Sequence, residues 1–473
     1  MMKKLLLLSA LMMLSAGNVW ADVVINETNF PDENFRSWLH AQSYGSDGVI
    51  TDAEIAGIKT ISMNGKRIQS LQGIENFTAM TNLSCTNISL TSLDVSKNTA
   101  LTYLSCYNNP MTSLNVSGCT ALTELWCGNS KLTSLDVSKN TALTTLYCNG
   151  NQLTLLDVSK NTKLQSLYCN GNQLTSLDVS KNTALTYLEC SSNQLTSLDV
   201  SKNTALTSLQ CYENQLTSLI VSGCTELQLL SCDSNQLSSL DVTKNTALTK
   251  LDCSRNKLTS LNVPKNTALT TLSCNYNKLT SLDVSKNTVL KKLECTNNQI
   301  TSLDMSKNTK LDVLECGYNQ LSSLDVTKNT QLRTLGCNSN KLTSLDVTGC
   351  AALTKLVYYS NKIKATAMAA IVESLPTVSS GTMRVIYYEN EQNEMTTTQV
   401  AAAKAKGWIP YYTEDGTKWK EYAGVDPSTG INNVEASEAD DSAPWYTING
   451  VQLQGKPTAA GIYIHGGKKV VVK

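Results

Sequence analysis

The sequence predicts a β-rich, α+β solenoid of about 15 stacked coils of 21 residues, with a helical cap at one end and an α/β cap plus a small β domain at the other. Three observations predict it. Cysteines at 85, 106, 127, 148, 169, 190, 211, 232, 253, 274, 295, 316 and 337 recur every 21 residues. Within each period apolar residues alternate with polar ones over a few positions, as in Leu146 and Cys148 against Thr145, Tyr147 and Asn149, which marks a short strand with one buried face. On both sides of the series the period gives way to helical spacing, where a solenoid needs its end coils covered.

Taken in order, residues 1–21 read as a secretory signal peptide. Lys3 and Lys4 precede an apolar run from Leu5 to Leu14, and Val19-Trp20-Ala21 offers small residues three and one before a cut. After Ala21 no run approaches the roughly 20 apolar residues a membrane-spanning helix needs, so an integral inner-membrane protein is not expected. Residues 22–57 form the expected N-terminal cap: Phe35, Trp38 and Leu39 fall at helical spacing, and Thr51 to Glu54 is a capping box. Between them, Ser43 to Glu54 is similar to an EF-hand loop, with Gly48 at the tight turn and Glu54 in the last ligand slot. Ser43 and Gly45 replace carboxylates there, so the segment reads as a degenerate cap turn and no cofactor is expected.

The solenoid spans 58–361. One coil runs Leu143, Leu146, Cys148, Asn151, Leu153, Leu156, Val158, and a single such unit is too small to bury its own core. The Asn151 position recurs from Asn109 to Asn361, where a side-chain amide can bond turn backbone that lacks a partner; Ile88 and Ser130 interrupt the column and should weaken it. Asp157 and Lys160 also recur and read as a solvated face with alternating columns of charge. This spacing, with Cys in the third apolar slot, resembles the bacterial leucine-rich-repeat family, including internalin-like surface proteins. The resemblance implies a right-handed leucine-rich-repeat solenoid and a recognition role.

Residues 362–423 form the C-terminal cap: a helical stripe of Met368, Ile371, Val372 and Leu375 stopped by Pro376, a strand from Met383 to Tyr388, a helix from Thr396 to Lys406 ending at Gly407, and a strand from Ile409 to Tyr412. Residues 424–444 are polar and acidic, as in a linker. Residues 445–473, with a turn at Gly450, the run Gly461-Ile-Tyr-Ile464 and a basic-valine ending, resemble the C-terminal sorting domains of the Bacteroidetes type IX secretion system. That resemblance implies the type IX machinery as a partner, with release or attachment at the outer surface.

Function classes narrow quickly. Lys plus Arg (39) equals Asp plus Glu (39), so no global field favours nucleic acid. The two histidines, His40 and His465, lie near opposite ends of the chain, which leaves the solenoid without a Ser/His or Cys/His pair, and no nucleophile elbow, phosphate loop or zinc motif occurs. Repeated aspartates are alike, whereas catalytic carboxylates need distinct environments. The chain is therefore expected not to be an enzyme. The ladder cysteines read as buried thiols in apolar slots. Cys119, Cys224 and Cys350 replace the Asn of Lys-Asn-Thr and stand five and six coils apart, too far to pair with one another.

Recognition is then expected where the repeats differ. Just before each Cys stand Trp126, Tyr147 and Tyr168 in three successive coils, and Tyr103, Tyr107, Tyr187 and Tyr212 occupy neighbouring outward positions. Exposed Trp and Tyr serve as anchors for a host or microbial protein, or offer flat faces to a glycan; alternatively they only stabilise the sheet, leaving the solenoid as an envelope spacer.

Overall fold

The computed structural model describes residues 22–387, 391–426, 444–448, 450–465 and 468–472. The segment 1–21, Tyr388 and most of the expected linker lie outside the described residues. The fold is a β-solenoid of about 14 turns with 21-residue repeats. It divides into two compact units, Met1–Leu269 and Thr270–Lys473. No helix among the described residues is long and apolar enough to cross a membrane.

In the first unit, Val23–Val24 pairs antiparallel with Val49–Ile50, flanking helix Glu33–His40. Asp32 ties that helix to the first coil: one carboxylate oxygen accepts from Phe35 N at 3.0 Å, the other from Gln69 N at 2.8 Å. The chain's three phenylalanines meet here, with Phe30 against Phe35 at 5.6 Å and against Phe77 at 6.4 Å, and all are fully buried. Helix Asp52–Gly57 opens with the expected capping box, and the Glu54 carboxylate is held by the Thr51 amide and hydroxyl, both at 2.8 Å. The last slot of the EF-hand-like loop thus serves the helix start.

Within each unit, coils contribute three-residue strands that pair in parallel with strands 21 residues on, for example Leu146 opposite Leu167 and Leu167 opposite Leu188. Leu143, Leu146, Cys148, Leu153, Leu156 and Val158 are all buried, as the alternation predicts. A second, shorter set of parallel pairs forms at the Ser-Leu-Asp position, as between Ser197–Asp199 and Ser218–Ile220.

Two asparagine ladders hold the coils in register. In the expected one, Asn172 Nδ2 donates to Cys148 O and Cys169 O, both at 3.0 Å, while Oδ1 accepts from Leu153 N at 3.0 Å. The predicted weak point is present at Ser130, whose buried hydroxyl has no partner. The second ladder comes from the Asn of Lys-Asn-Thr. Asn182 Nδ2 donates to Val158 O and Asn161 O at 2.9 Å, but its buried Oδ1 has no partner. Where cysteine takes this place, Cys119 and Cys224 donate to Val95 O and Val200 O at 3.1 Å and leave no orphan oxygen. The preceding residues, Gly118 and Gly223, lie so close to the previous coil that a Cβ would overlap the Ser96 and Ser201 carbonyls.

All sixteen cysteines are buried thiols. Burial pushes the ladder thiols far up from 9.0, to about 12 for Cys148, Cys295 and Cys337, so they sit in the coil as small apolar groups.

In the second unit the stacking of three-residue strands runs on to Lys355–Val357, which pairs in parallel with Gly381–Tyr387, itself parallel to Trp408–Thr413. Helices Ala365–Ser374 and Thr397–Ala405 connect these strands and bury Met368, Ile371, Val372, Val400 and Ala403. Gly407 stops the second helix at φ 84°. A strand that periodicity had not indicated, Trp419–Glu421, pairs antiparallel with Trp408–Thr413. Further on, a four-stranded antiparallel sheet joins Gln452–Leu453, Trp445–Thr447, Gly461–His465 and Lys468–Val472, with the Trp445 and His465 rings stacked at 4.2 Å.

Candidate functional site: an aromatic ladder on the strand face

Register turns sequence spacing into contact. Ser105, Trp126, Tyr147 and Tyr168 are direct parallel partners from strand to strand, so side chains 21 residues apart stand one strand spacing apart. The Trp126 and Tyr147 rings stack with centroids at 3.9 Å and an interplanar angle of 21°; Tyr147 and Tyr168 do so at 3.9 Å and 9°. Tyr187 belongs to the neighbouring column, yet its ring closes on Tyr168 at 4.6 Å. The next position of the Trp126 column is Glu189, which offers no ring, and its carboxylate accepts the Tyr187 hydroxyl at 3.1 Å. The stack therefore has four rings, one more than the column alone predicts. Its three pairs together contribute about 2–4 kcal/mol beyond area burial.

The remaining predicted residues divide. Tyr107 joins the site: its hydroxyl accepts from Asn129 Nδ2 at 2.8 Å, and its ring lies so near Gly128 that a Cβ there would press against it. With Trp126, Tyr147, Tyr168, Asn149, Asn170 and Glu189 it borders an open depression of about 240 Å³. Tyr103 and Tyr212 lie in flanking coils of the same face, half-buried and outside the ring stack. The Asn149 and Asn170 amides were not singled out from sequence; their place beside the ladder, one residue after the Cys, was the available signal.

Burial holds the Tyr147 phenol well above its ordinary value, helped by the Tyr168 hydroxyl and by the charges of Glu124 and Glu189. Both faces of Tyr147 and Tyr168 are covered by neighbouring rings, so the ladder presents ring edges and hydroxyls outward. What the arrangement offers is rigid contact area with polar tips.

A second aromatic group lies in the second unit. Tyr359 packs on Tyr387 and on Trp419, each at 5.4 Å, and the Arg384 guanidinium sits 4.4 Å above the Trp419 ring. Nearby, Glu315 is pushed up by burial and drawn back by Lys355. Strands Gly381–Tyr387 and Trp419–Glu421 supply three of these residues, so their convergence was invisible to the 21-residue period.

Comparison with known proteins matches this geometry. A model of leucine-rich repeats in two copies matches 141–182 and 162–203, and a model of the leucine-rich-repeat domain of endo-beta-N-acetylglucosaminidase EndoS matches 30–161. The functional domain of InlJ from Listeria monocytogenes, described as including a cysteine ladder, is 33% identical over 87% of this chain and 95% of its own length, with a TM-score of 0.69. The chain belongs to the internalin-like leucine-rich-repeat family. A second internalin of that organism, InlF, is 26% identical over 74% of this chain and 94% of its own, with a TM-score of 0.52. A leucine-rich-repeat protein of Leptospira interrogans shares the fold at 23% identity, covering 68% of this chain and 89% of its own with a TM-score of 0.61. Against full-length internalin J of Listeria monocytogenes serotype 4b the match is 41% identical over 70 residues, which spans 15% of this chain and 8% of that protein.

Proposed function

We propose that this internalin-like chain is a non-enzymatic recognition protein of the outer cell surface or extracellular space, and that it binds a host or microbial protein through the strand face of its first unit. The observation that carries this reading is the four-ring stack of Trp126, Tyr147, Tyr168 and Tyr187. Internalin-like relatives are typically protein-binding adhesion or recognition proteins. Rigid Trp and Tyr side chains supply large amphipathic contact area at small entropic cost, which is why they dominate binding hot spots. A glycan would stack on open ring faces, and the stack covers those of Tyr147 and Tyr168 on both sides, so within the run from Trp126 to Tyr168 only the end ring Trp126 has a side without a described ring stacked on it. We further propose that 1–21 directs export, that 22–57 and 362–423 cap the repeats of 58–361, and that 424–444 links them to a sorting domain at 445–473 read by the type IX machinery.

The test is binding of the full chain to protein and glycan arrays, beside a Trp126→Ala, Tyr147→Ala, Tyr168→Ala variant whose circular dichroism shows it folded. Specific protein binding lost in the variant is expected. Binding retained by the variant, or confined to the glycan array, overturns the assignment.

A further inference from the structure

The charge of the partner follows from the charge of the ladder's surroundings. Through seven successive coils the chain crosses the sheet face in segments 102–108, 123–129, 144–150, 165–171, 186–192, 207–213 and 228–234. These segments contain Glu124, Glu189, Glu213 and Asp233, and not one lysine or arginine. Lysines are not scarce in these coils: Lys131, Lys139, Lys160, Lys181 and Lys202 all occur, but on other faces, where aspartates such as Asp136, Asp157, Asp178 and Asp199 accompany them. The bias belongs to the strand face.

Two of the carboxylates stand against the ladder itself. Glu124 Oε2 lies 3.5 Å from Trp126 Nε1, and Glu189 Oε2 accepts from the Tyr187 hydroxyl at 3.1 Å. The column ends at Ser105, whose hydroxyl is turned to Thr86 at 2.8 Å, and no described ring is stacked on the side of Trp126 away from Tyr147. A planar cation fits that place, with the indole face beneath it and the Glu124 carboxylate beside it.

Resting on the protein-recognition reading above, we infer that the ligand of this face is a cationic protein segment whose arginine or lysine side chains dock along Trp126 to Tyr187 between Glu124 and Glu189. Uncompensated carboxylates beside aromatic edges attract such a segment and repel an acidic one, so the face selects its partner by charge as well as by fit.

The experiment uses the immobilised full chain, a Glu124→Gln, Glu189→Gln variant, and the triple alanine variant of the ladder. The probes are poly-L-arginine, poly-L-glutamate and the protein array. Poly-L-arginine is expected to bind, poly-L-glutamate not to bind, and raising salt from about 0.05 M to about 0.5 M should weaken binding by roughly tenfold or more. The glutamine variant, which leaves the rings in place, should weaken both poly-L-arginine and the ladder-dependent array partners by roughly tenfold. Poly-L-arginine binding that survives in the glutamine variant overturns the inference. So do array partners that need Trp126, Tyr147 and Tyr168 yet ignore salt and the glutamine change, an outcome that leaves protein recognition standing. Array binding indifferent to the alanine variant instead removes the recognition reading beneath it.

Discussion

The interiors of the two units are built from the same columns of Leu, Cys, Val and Asn, while their strand faces differ. In the first, the seven successive segments from 102 to 234 carry stacked rings and four acids with no basic residue, before Lys250, Asp252 and Arg255 follow in the next coil. In the second, segments 291–297, 312–318, 333–339 and 354–360 carry Lys291, Lys292, Arg333 and Lys355 with Glu294, Asp312 and Glu315. There the charges answer one another: Lys292 Nζ meets Glu294 at 2.8 Å, Arg333 approaches Asp312 at 3.8 Å, and the charge of Lys355 partly offsets the upward push of burial on Glu315. Gly336 belongs to this arrangement, since a Cβ there would overlap the Glu315 carboxylate. A face whose charges are paired internally asks little of a partner. One with uncompensated carboxylates and rigid rings does, and the contrast supports the proposal that recognition lies in the first unit.

The largest expected effect tests the claim that the interiors are equivalent. Folded ladder thiols titrate above the ordinary 9.0, at about 12 for Cys148 and Cys295, so stability is fully present below pH 9. Above it the unfolded chain releases protons that the folded chain keeps, and stability falls with pH. One unit above 9, each buried thiol accounts for about 1.4 kcal/mol of that loss, and both units carry many. Circular dichroism should show the repeats unfolding between about pH 9 and pH 11. Early loss of one unit alone would break the equivalence.

Next in size is the pair of asparagine ladders. Asn172→Ala removes both a donor and an acceptor from buried backbone and should cost about 3 kcal/mol, with Asn319→Ala alike in the second unit. Asn182→Ala and Asn308→Ala remove only donors and also an orphan oxygen, so about 1–2 kcal/mol is expected from denaturant unfolding. Equal costs in the two ladders would show that the orphan oxygens carry no penalty.

On the strand face, Tyr147→Ala breaks two stacks and should cost about 1–3 kcal/mol in thermal unfolding, beside its effect on binding. No measurable cost would mean that the rings stand ready for a partner without supporting the sheet.

The smallest effect concerns the turn after the strand. Gly150 and Gly171 hold positive φ in the first unit, whereas Tyr276 and Tyr318 hold φ 54° and 50° at the same register in the second. Tyr318→Gly should stabilise and Gly171→Tyr destabilise by about 1 kcal/mol each, because a side chain in left-handed backbone is strained. Opposite signs would mean that the tyrosine ring contributes more than the strain costs.

Most of the solenoid was legible because its contacts are between identical positions one coil apart. Leu146, Cys148 and Asn151 meet Leu167, Cys169 and Asn172, and periodicity alone names these partners. The second ladder was missed because Asn182 lies in a polar Lys-Asn-Thr run that resembles solvated surface, although its side chain is fully buried. The recurring aspartates were read as a charge column; many of them also cap a turn, as Asp157 Oδ1 does by accepting from Ser159 N at 2.8 Å, which lowers its pKa.

By itself the sequence determined the repeat length, the buried columns and the row of Trp126, Tyr147 and Tyr168, because each depends only on period and polarity. Tertiary structure alone decided that Tyr187 leaves its own column to finish the stack, that Tyr107 lies over Gly128, and that Arg384, Tyr359 and Trp419 converge in the second unit. The physical reason is common to all three. A period says which residues are neighbours along one column, but a ring settles into whatever space the adjacent columns and closing strands leave, and that space exists only once the coils are stacked.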